Sequence, residues 1–408
     1  MALSAVRVPR PLRGLLLYLP ALSATPSFGW PQRLDALLCS ISYARGNMRT
    51  SRLKWVLRFI RLRASSLRIG SRLLPRLTEC VNHMKYFTIF KLVGSFICYL
   101  VLGPLASATP LTLAIADLPS FSTALIAEEQ GFFAAEGLEL KTIHCVNGKR
   151  CLKHLLDGEA QYATVADTPI ALAAMAGSKF EVLSQLATTS RENHFLARSD
   201  RGIRTAADLK GKRIGILKGT SAHYFVNTLL LFNGIGQAQV TLVPLDVADP
   251  AGALIRGEVD AAGLYNPVWL KARAAMGKQL VSIQNPNTFS VTTNIVGITR
   301  AAGGKEADAI KLLRALKRAD RLIDYDPARA RAIIATRLKL AQADVDAMWA
   351  DYDFKLTLTQ PLISALEAQT RWALRESLVP DGKMPDYLDY VDVVPLIAID
   401  PKAVSVIK

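Results

Sequence analysis

The chain has 408 residues, half of them hydrophobic, and its 50 Lys and Arg against 34 Asp and Glu give a net charge of +16. Such a charge suggests a nucleic-acid or acidic-membrane partner. It is concentrated at the start, however: residues 1–83 contain fourteen bases and two acids, residues 84–108 two bases, and residues 109–408 the remaining 34 bases and 32 acids. This nearly neutral remainder excludes nucleic acid as a partner, and the composition excludes disordered and fibrous proteins.

Residues 84–108 have the pattern of a secretory signal peptide. Lys85 and Lys91 form a basic start, residues 92–102 an apolar centre and residues 106–108 a small-residue cleavage site. The apolar stretch is about 14 residues, below the ~20 that a membrane-spanning helix needs. We therefore predict that translation begins at Met84, that residues 1–83 are a non-native basic extension, and that the mature protein begins at Thr109 in the periplasm. A genuine basic tail and a transit peptide are the alternatives.

From Thr109 onward, short apolar runs alternate with helical patterns, which predicts an α/β fold with a largely parallel sheet. The predicted strands are residues 111–116, 138–143, 162–165, 181–186, 213–217, 240–245, 261–264 and 294–299. The predicted helices among them are residues 123–130, 170–176, 222–232, 251–256 and 268–275. Apolar spacing from Ile310 to Leu322, with similar patterns at 328–337, 341–349 and 359–378, predicts a helical C-terminal third.

Two cysteines remain in the predicted mature chain, Cys145 and Cys151, with an Asn-Gly pair between them. Asn-Gly favours a turn that can bring two Cβ atoms together, and an oxidising compartment would join the sulfurs. We predict a disulfide that closes a short loop. Two free thiols are the alternative, while a metal site would lack ligands beyond His144 and His154.

The α/β region contains an internal repeat. Residues 155–163, which lead to Pro169, match residues 254–262, which lead to Pro267, at an offset of 99 residues at the glycines and 98 at the prolines. Ser122 and Ser221, each just after a predicted strand, are also 99 residues apart. Two similar α/β lobes are the simplest explanation.

Polar residues stand at equivalent helix starts in the two repeats. They are Ser122 and Thr168 in the first and Ser221 and Asn266 in the second. Thr168 and Asn266 each precede a proline, as an N-cap residue does. Free amides at helix starts bind small anions, and ligands of open α/β sheets lie at the carboxyl ends of the strands. Capping alone explains any one position, but the repetition predicts a shared cleft, with Phe121 and Tyr265 as apolar walls or core residues.

Several segments together resemble the solute-binding proteins of ABC importers, in the branch for aliphatic sulfonates, taurine and nitrate that shares its fold with binders of thiamine-pyrimidine precursors. They are residues 207–215 (ADLKGKRIG), 219–221 (GTS), 253–261 (ALIRGEVDA) and 266–269 (NPVW). Residues 127–138 (AEEQGFFAAEGL) are similar to that branch's signature of glycine, aromatic, acidic and glycine-leucine positions.

The resemblance implies a type II periplasmic-binding fold: α/β, with two lobes, a hinge and a helical C-terminal part. Lobe one is expected at residues 109–190 and 298–408 and lobe two at 191–297, with crossovers near 188–196 and 292–297. The implied function is that of a monomer that captures a small solute between its lobes. In its closed form it delivers the solute to the permease and ATPase subunits of the importer.

Carried over to this sequence, the resemblance implies a solute site formed by Phe121, Ser122, Asp167, Thr168, Thr220, Ser221, Tyr265 and Asn266, with His223 as a further candidate. The Asp167 carboxylate departs from an anion site, because its charge would repel an anion and favour an amine-bearing, zwitterionic or heteroaromatic solute. Tyr265-Asn266-Pro267 also stands where sulfonate binders commonly have Trp-Glu-Pro. Lys149 and Arg150 could restore anion preference if they reached the cleft; a solvated basic loop is the other interpretation.

The sequence predicts a binding protein and not an enzyme, with no cofactor and no metal. The histidines after residue 108 are not in metal-ligand spacing, and neither a nucleophile elbow nor a Walker loop is present. Two other functions stay open. One is an enzyme, because the fungal pyrimidine synthases share this fold, although they use a cysteine cluster and an iron-associated histidine. The other is a solute sensor, which would need a signalling module or a membrane anchor.

Overall fold

The computed structural model divides the chain into two units, Met1–Ser107 and Ala108–Lys408. It describes residues 111–283, 289–299, 303 and 305–407, all of which belong to the second unit. The predicted extension and signal peptide therefore lie outside the described residues. Within these ranges, no helix is both long and apolar enough to cross a membrane.

Two β-sheets organise the described part of the chain. The strands are β1 (Leu111–Ala116), β2 (Leu140–Cys145), β3 (Tyr162–Ala166), β4 (Glu181–Thr189), β5 (Asn193–Arg198), β6 (Arg213–Ile216), β7 (Thr241–Pro244), β8 (Ala261–Tyr265), β9 (Leu280–Ser282), β10 (Val291–Gly297) and β11 (Asp353–Thr357). One sheet has the order β11-β4-β10-β3-β1-β2 and the other β7-β6-β8-β5-β9. We call the part built on the first sheet lobe one and the part built on the second lobe two.

Helices accompany both sheets. They are α1 (Ser122–Glu129), α2 (Phe132–Ala135), α3 (Gly148–Leu156), α4 (Asp167–Met175), α5 (Ser221–Phe232), α6 (Gly252–Arg256), α7 (Trp269–Met276), α8 (Glu306–Tyr325), α9 (Pro327–Leu338), α10 (Gln342–Trp349), α11 (Gln360–Arg375) and α12 (Val394–Ile397). The predicted α/β class with a helical C-terminal part is confirmed. Helix α8 packs against α1, α2 and β11, so the C-terminal helices complete lobe one.

Strand β1 shows how the apolar pattern places the core. It pairs in parallel with β2 and β3, and its residues from Leu113 to Ala116 are fully buried. A continuous apolar run is typical of a strand that is covered on both faces. The same pattern occurs in β8, where all five residues are buried.

Both sheets are mixed and not largely parallel. Strand β10 runs antiparallel to β3 and β4, and β5 runs antiparallel to β8 and β9. Residues 190–192 connect β4 of lobe one to β5 of lobe two, and the chain returns into β10. Because β10 is hydrogen-bonded within the sheet of lobe one, the predicted assignment of residues 291–297 to lobe two is wrong. The sequence of β10 itself does not indicate which of the two sheets the strand joins.

Three of the described strands, β5, β9 and β11, are not predicted by the sequence patterns. Strand β9 has three residues, too few for a pattern. Strand β11 lies at the sheet edge and alternates exposed and buried residues between two helices. Such a short amphipathic segment is readily taken for part of its helical surroundings, because five residues do not separate a period of two from one of 3.6.

Two predicted caps need correction. Helix α4 begins at Asp167 after the N-cap residue Ala166, so Thr168 lies inside the helix. The Asn266–Pro267 peptide bond is cis, and α7 begins at Trp269, so Asn266 is not an N-cap residue. Ser122 and Ser221, by contrast, are the first residues of α1 and α5, as the internal repeat predicts.

Candidate functional site

The two lobes meet where α3 and α11 of lobe one contact the start of α5 in lobe two. The Lys149 ammonium donates a hydrogen bond of 2.8 Å to the carbonyl of Lys218. The ring centroid of Trp372 lies 4.9 Å from that of His223. We call this region, together with Leu172 of α4, the cleft.

Phe121 and Ser122 are both buried beside the start of α1. The Ser122 hydroxyl donates a 2.6 Å hydrogen bond to the carbonyl of Pro119, and its backbone N–H is bonded to the same carbonyl. Phe121 packs in the hydrophobic core. Both donors of Ser122 therefore already have acceptors within lobe one.

Asp167 is fully buried, and both of its carboxyl oxygens accept backbone hydrogen bonds. The N–H of Thr168 donates to Oδ1 over 2.8 Å, and the N–H of Thr292 in β10 donates to Oδ2 over 3.0 Å. Burial raises the pKa of this carboxyl group to about 6. Asp167 thus joins α4 to β10. Because both carboxyl oxygens are already hydrogen-bonded to backbone amides, the expectation that Asp167 selects an amine-bearing solute is weakened.

The turn of residues 219–221 leads into α5 at the cleft. Gly219 has a φ of +74°, which favours glycine, and a Cβ atom there would lie 2.9 Å from Lys149 Nζ and 3.3 Å from Leu172 Cδ1, so these lobe-one side chains would have to shift. Thr220 is the N-cap residue, and its hydroxyl donates to the carbonyl of Leu217 over 2.7 Å. The first amides of a helix have no intrahelical acceptor, so the start of α5 and the Ser221 hydroxyl can bind an anion.

Positive charge lies close to this helix start. Lys149 and Lys218 approach each other there, and burial together with the charge of Lys218 lowers the pKa of Lys149. The pKa of His223 is lowered to about 4 by burial and by the two lysines. The Gly219 N–H donates to His223 Nδ1 over 3.3 Å, which leaves the proton of the neutral ring on Nε2. The cleft therefore presents cationic and neutral donors to a solute.

The disulfide Cys145–Cys151 holds the first turn of α3, which carries Lys149. It joins the end of β2 to α3 with a Cα–Cα distance of 5.7 Å. Asn147 is the N-cap residue of α3, and its side-chain oxygen accepts from the N–H of Arg150 over 3.0 Å. The Asn-Gly pair is thus a helix start and not a free turn. Lys149 consequently reaches lobe two, which favours the cleft interpretation of this residue over the solvated loop.

Asn266 is the centre of a buried network at the hinge. Its side-chain oxygen accepts from Trp269 Nε1 over 2.7 Å and from His194 Nε2 over 3.0 Å. Its amide nitrogen donates to the Tyr352 hydroxyl of lobe one over 2.9 Å. Because protein groups take up this side chain, Asn266 is better explained as a connection between the lobes than as a ligand contact. Tyr265, also buried, precedes it, and burial raises the pKa of its hydroxyl.

Glu192, in the crossover between β4 and β5, extends the same network. Its carboxyl group accepts from the Tyr352 hydroxyl over 2.7 Å and from the Ser120 hydroxyl over 3.1 Å. Burial raises the pKa of Glu192 to about 7. Sequence patterns do not predict the contact between Glu192 and Tyr352, since they are 160 residues apart and neither belongs to a motif.

Two surface cavities lie away from the cleft. One, of about 530 Å³, is lined by residues of α1 and α9 that include Arg329 and Arg337. The other, of about 480 Å³, lies beside the end of α3 and includes Lys179. Neither contains a predicted site residue. In the part of the chain that the structure describes, no group of three His, Cys, Asp or Glu side chains is placed to hold a metal ion.

Solved structures share this two-lobed architecture. The alkanesulfonate-binding protein SsuA from Xanthomonas axonopodis pv. citri bound to MOPS superposes with a TM-score of 0.61 at 22% identity, over 71% of this chain and 99% of that one. The described part of the chain accordingly has the fold of the periplasmic binding proteins. Residues 118–330, just over half of the chain, match the NMT1/THI5 like family, and the chain belongs to that family.

Curated relatives match shorter stretches. A putative aliphatic sulfonates-binding protein of Bacillus subtilis (strain 168) is 26% identical over 176 residues, 42% of this chain and 53% of the relative. The taurine-binding periplasmic protein of Escherichia coli (strain K12) is 25% identical over 194 residues, 47% of this chain and 60% of that protein. The chain spans about half the length of the first of these curated relatives.

Proposed function

We propose that this protein is the solute-binding component of an ABC importer and that it captures a sulfonate-bearing organic solute between its two lobes. The observation that carries the proposal is the start of α5, where the Ser221 hydroxyl and free helix amides adjoin Lys149 of lobe one and Lys218 of lobe two. Relatives named for aliphatic sulfonates and taurine support the same class of solute.

The chemistry of the cleft suits a strong-acid anion. A sulfonate stays ionised at any physiological pH and offers three acceptor oxygens, which match helix amides, a hydroxyl and two ammonium groups. Asp167 opposes such a ligand less than the sequence suggests, because its oxygens are bonded to backbone amides. We infer that Ser221, Lys149 and Lys218 bind the anionic group, with Thr220 and His223 beside it.

Closure of the lobes would couple binding to transport. Residues 190–192, which connect the two lobes, form a segment short enough to act as a hinge. A solute that contacts both lobes favours the closed population, and that form would dock on the permease. A binding role needs no reacting group in the cleft.

Catalysis is the alternative function, because the family also includes the pyrimidine-synthase scaffold. An enzyme would convert a bound compound into a product.

Calorimetric titration of the purified protein with taurine, hexanesulfonate, MOPS, nitrate and a pyrimidine tests the proposal. We expect a sulfonate to bind. Ser221→Ala should weaken sulfonate binding about tenfold, since a hydrogen bond to a charged group is lost. Ser199→Ala is the matched control, because Ser199 follows the far end of β5 and its hydroxyl donates to the carbonyl of Gln279. Equal affinity of both variants would remove Ser221 from the site, and turnover of any compound would favour the enzyme.

N-terminal sequencing of the exported protein tests the proposed signal peptide. If residues 84–108 are removed on export, the periplasmic protein from a host expressing the whole chain should begin at Thr109, because secretory cleavage follows small residues at positions −3 and −1. Recovery of mature protein with an intact Met1 would contradict both the leader and the proposed periplasmic location.

A further inference from the structure

Helix α11 carries two buried side chains whose polar atoms have no hydrogen-bond partner among the described residues. They are the Trp372 indole nitrogen and both amide atoms of Gln369. Each residue is 1% exposed, so solvent does not satisfy these atoms either. An unmade buried hydrogen bond costs about 1–3 kcal/mol, and native proteins therefore leave few of them. Two such residues one turn apart on a single helix require an explanation.

Their position is the cleft. The Trp372 ring contacts two residues of lobe two, with centroid distances of 4.9 Å to His223 and 5.0 Å to Tyr224. The Gln369 amide lies close enough to the Asp167 carboxyl group to act as a side-chain hydrogen-bond donor that lowers its pKa, although the two groups do not reach ordinary hydrogen-bond geometry. Both orphan groups are thus in lobe one, where α11 meets α4 and α5.

The surroundings of Trp372 are apolar. Met175 and Ala373 pack with it, and Leu172 and Tyr224 border the same cluster. A water molecule needs two to four polar partners to be stable in a protein interior. The indole N–H can only donate, so the group that satisfies it must be an acceptor. An oxygen of a bound solute meets this requirement and is removed from water when the lobes close.

We propose that Gln369 and Trp372 are ligand-binding residues, and that their N–H groups donate to an oxygen-bearing group of the solute held in the cleft. This inference rests on the proposed function and adds to it solute contacts from the C-terminal helix α11, which would contribute to specificity. His223, which presents its Nε2 proton from lobe two, lies opposite on α5. The solute would lie between neutral donors here and the lysines at the start of α5.

Trp372→Phe and Gln369→Met test the proposal in the full chain with hexanesulfonate as the probe. Gln369→Met keeps the size of the side chain, whereas Trp372→Phe also removes part of a buried ring; neither change breaks a hydrogen bond of ordinary geometry in the free protein. The unfolding free energy of the free protein should therefore change little in Gln369→Met and fall in Trp372→Phe only by the lost packing, while the Kd for hexanesulfonate increases about tenfold in both. Loss of affinity without loss of stability in Gln369→Met is the signature of a ligand contact.

Trp269→Phe is the matched control, because the Trp269 indole N–H donates to Asn266 Oδ1 over 2.7 Å. That variant should lose the stability of this hydrogen bond in addition to the packing of the ring, whereas Trp372→Phe breaks no hydrogen bond of the free protein. A direct readout is the ¹⁵N–¹H indole resonance of Trp372, identified by its absence in Trp372→Phe, which should move downfield on addition of hexanesulfonate as the N–H gains an acceptor.

The outcomes separate the two proposals. If the wild-type protein binds hexanesulfonate and both variants bind it with unchanged Kd, α11 is not part of the site, and the proposed function stands. A Trp372 indole resonance that does not move on saturation with hexanesulfonate would show a packing role and likewise overturn the inference. If the wild-type protein binds no sulfonate, the proposed function is wrong and the inference fails with it.

Discussion

Replacement of Asn266 by alanine is expected to lower the free energy of unfolding by about 3 kcal/mol. The Asn266 side chain is fully buried and makes three hydrogen bonds, to Trp269, His194 and the Tyr352 hydroxyl. Alanine can make none of them. The cost is large because the partners are themselves buried or partly buried and keep their desolvation penalty when the acceptor is lost. Denaturant unfolding monitored by fluorescence and circular dichroism measures this loss of unfolding free energy.

Asn233→Ala provides the control. Asn233 is exposed at the end of α5, also in lobe two, and its side chain donates one hydrogen bond to the carbonyl of Leu229. Its removal should cost about 0.5 kcal/mol or less, because water replaces an exposed partner. Similar losses in both variants would mean that the hinge network contributes no more than an ordinary surface contact.

The second large effect is a decrease in stability as the pH rises. The pKa of Glu192 is about 7 in the folded protein, against 4.5 in the absence of burial. Between these values the folded state holds a proton that the unfolded state has released, so the stabilisation present below pH ~4.5 is lost as pH rises to about 7. The expected loss in unfolding free energy from Glu192 is on the order of 3 kcal/mol.

Glu192→Gln should remove that part of the pH dependence. Glutamine can still accept from the Tyr352 hydroxyl and donate to the Ser120 oxygen, so the network geometry is kept while the ionisable group is lost. Asp167, whose pKa is raised to about 6, acts in the same direction and should leave a smaller slope in the variant. The neighbouring Asp351 raises the pKa of Glu192 further. Identical slopes for wild type and variant from pH 5 to 8 would assign the dependence to other groups.

Most single elements were predictable because their signals are local. Strand β1 has the predicted bounds, since a fully buried strand is a continuous apolar run. Ser122 and Ser221 begin helices, and the offset of 99 residues between them follows from two similar lobes. The segments between Ala207 and Trp269 also sufficed to indicate the family, because they combine turn and helix-start residues in a recognisable order.

Side-chain roles at the candidate site were less predictable. Asp167 and Asn266 were expected to contact a solute, but the structure surrounds each with protein donors and acceptors. A polar residue near a strand end has the same local sequence whether it binds a ligand or bonds a neighbouring segment. The difference depends on residues such as Thr292 and Tyr352, which lie 125 and 86 positions further along the chain.

The sequence by itself determined the α/β class, the family resemblance and the placement of the positive charge outside residues 109–408. The tertiary structure alone decided which sheet β10 joins, that Lys149 reaches Lys218, and that Trp372 of the C-terminal part lies against His223. The physical reason is the sequence separation over which each kind of interaction acts. Periodicity and turn chemistry act over a few neighbouring residues, whereas strand pairing and contacts between lobes depend on segments that are distant in sequence and meet only after folding.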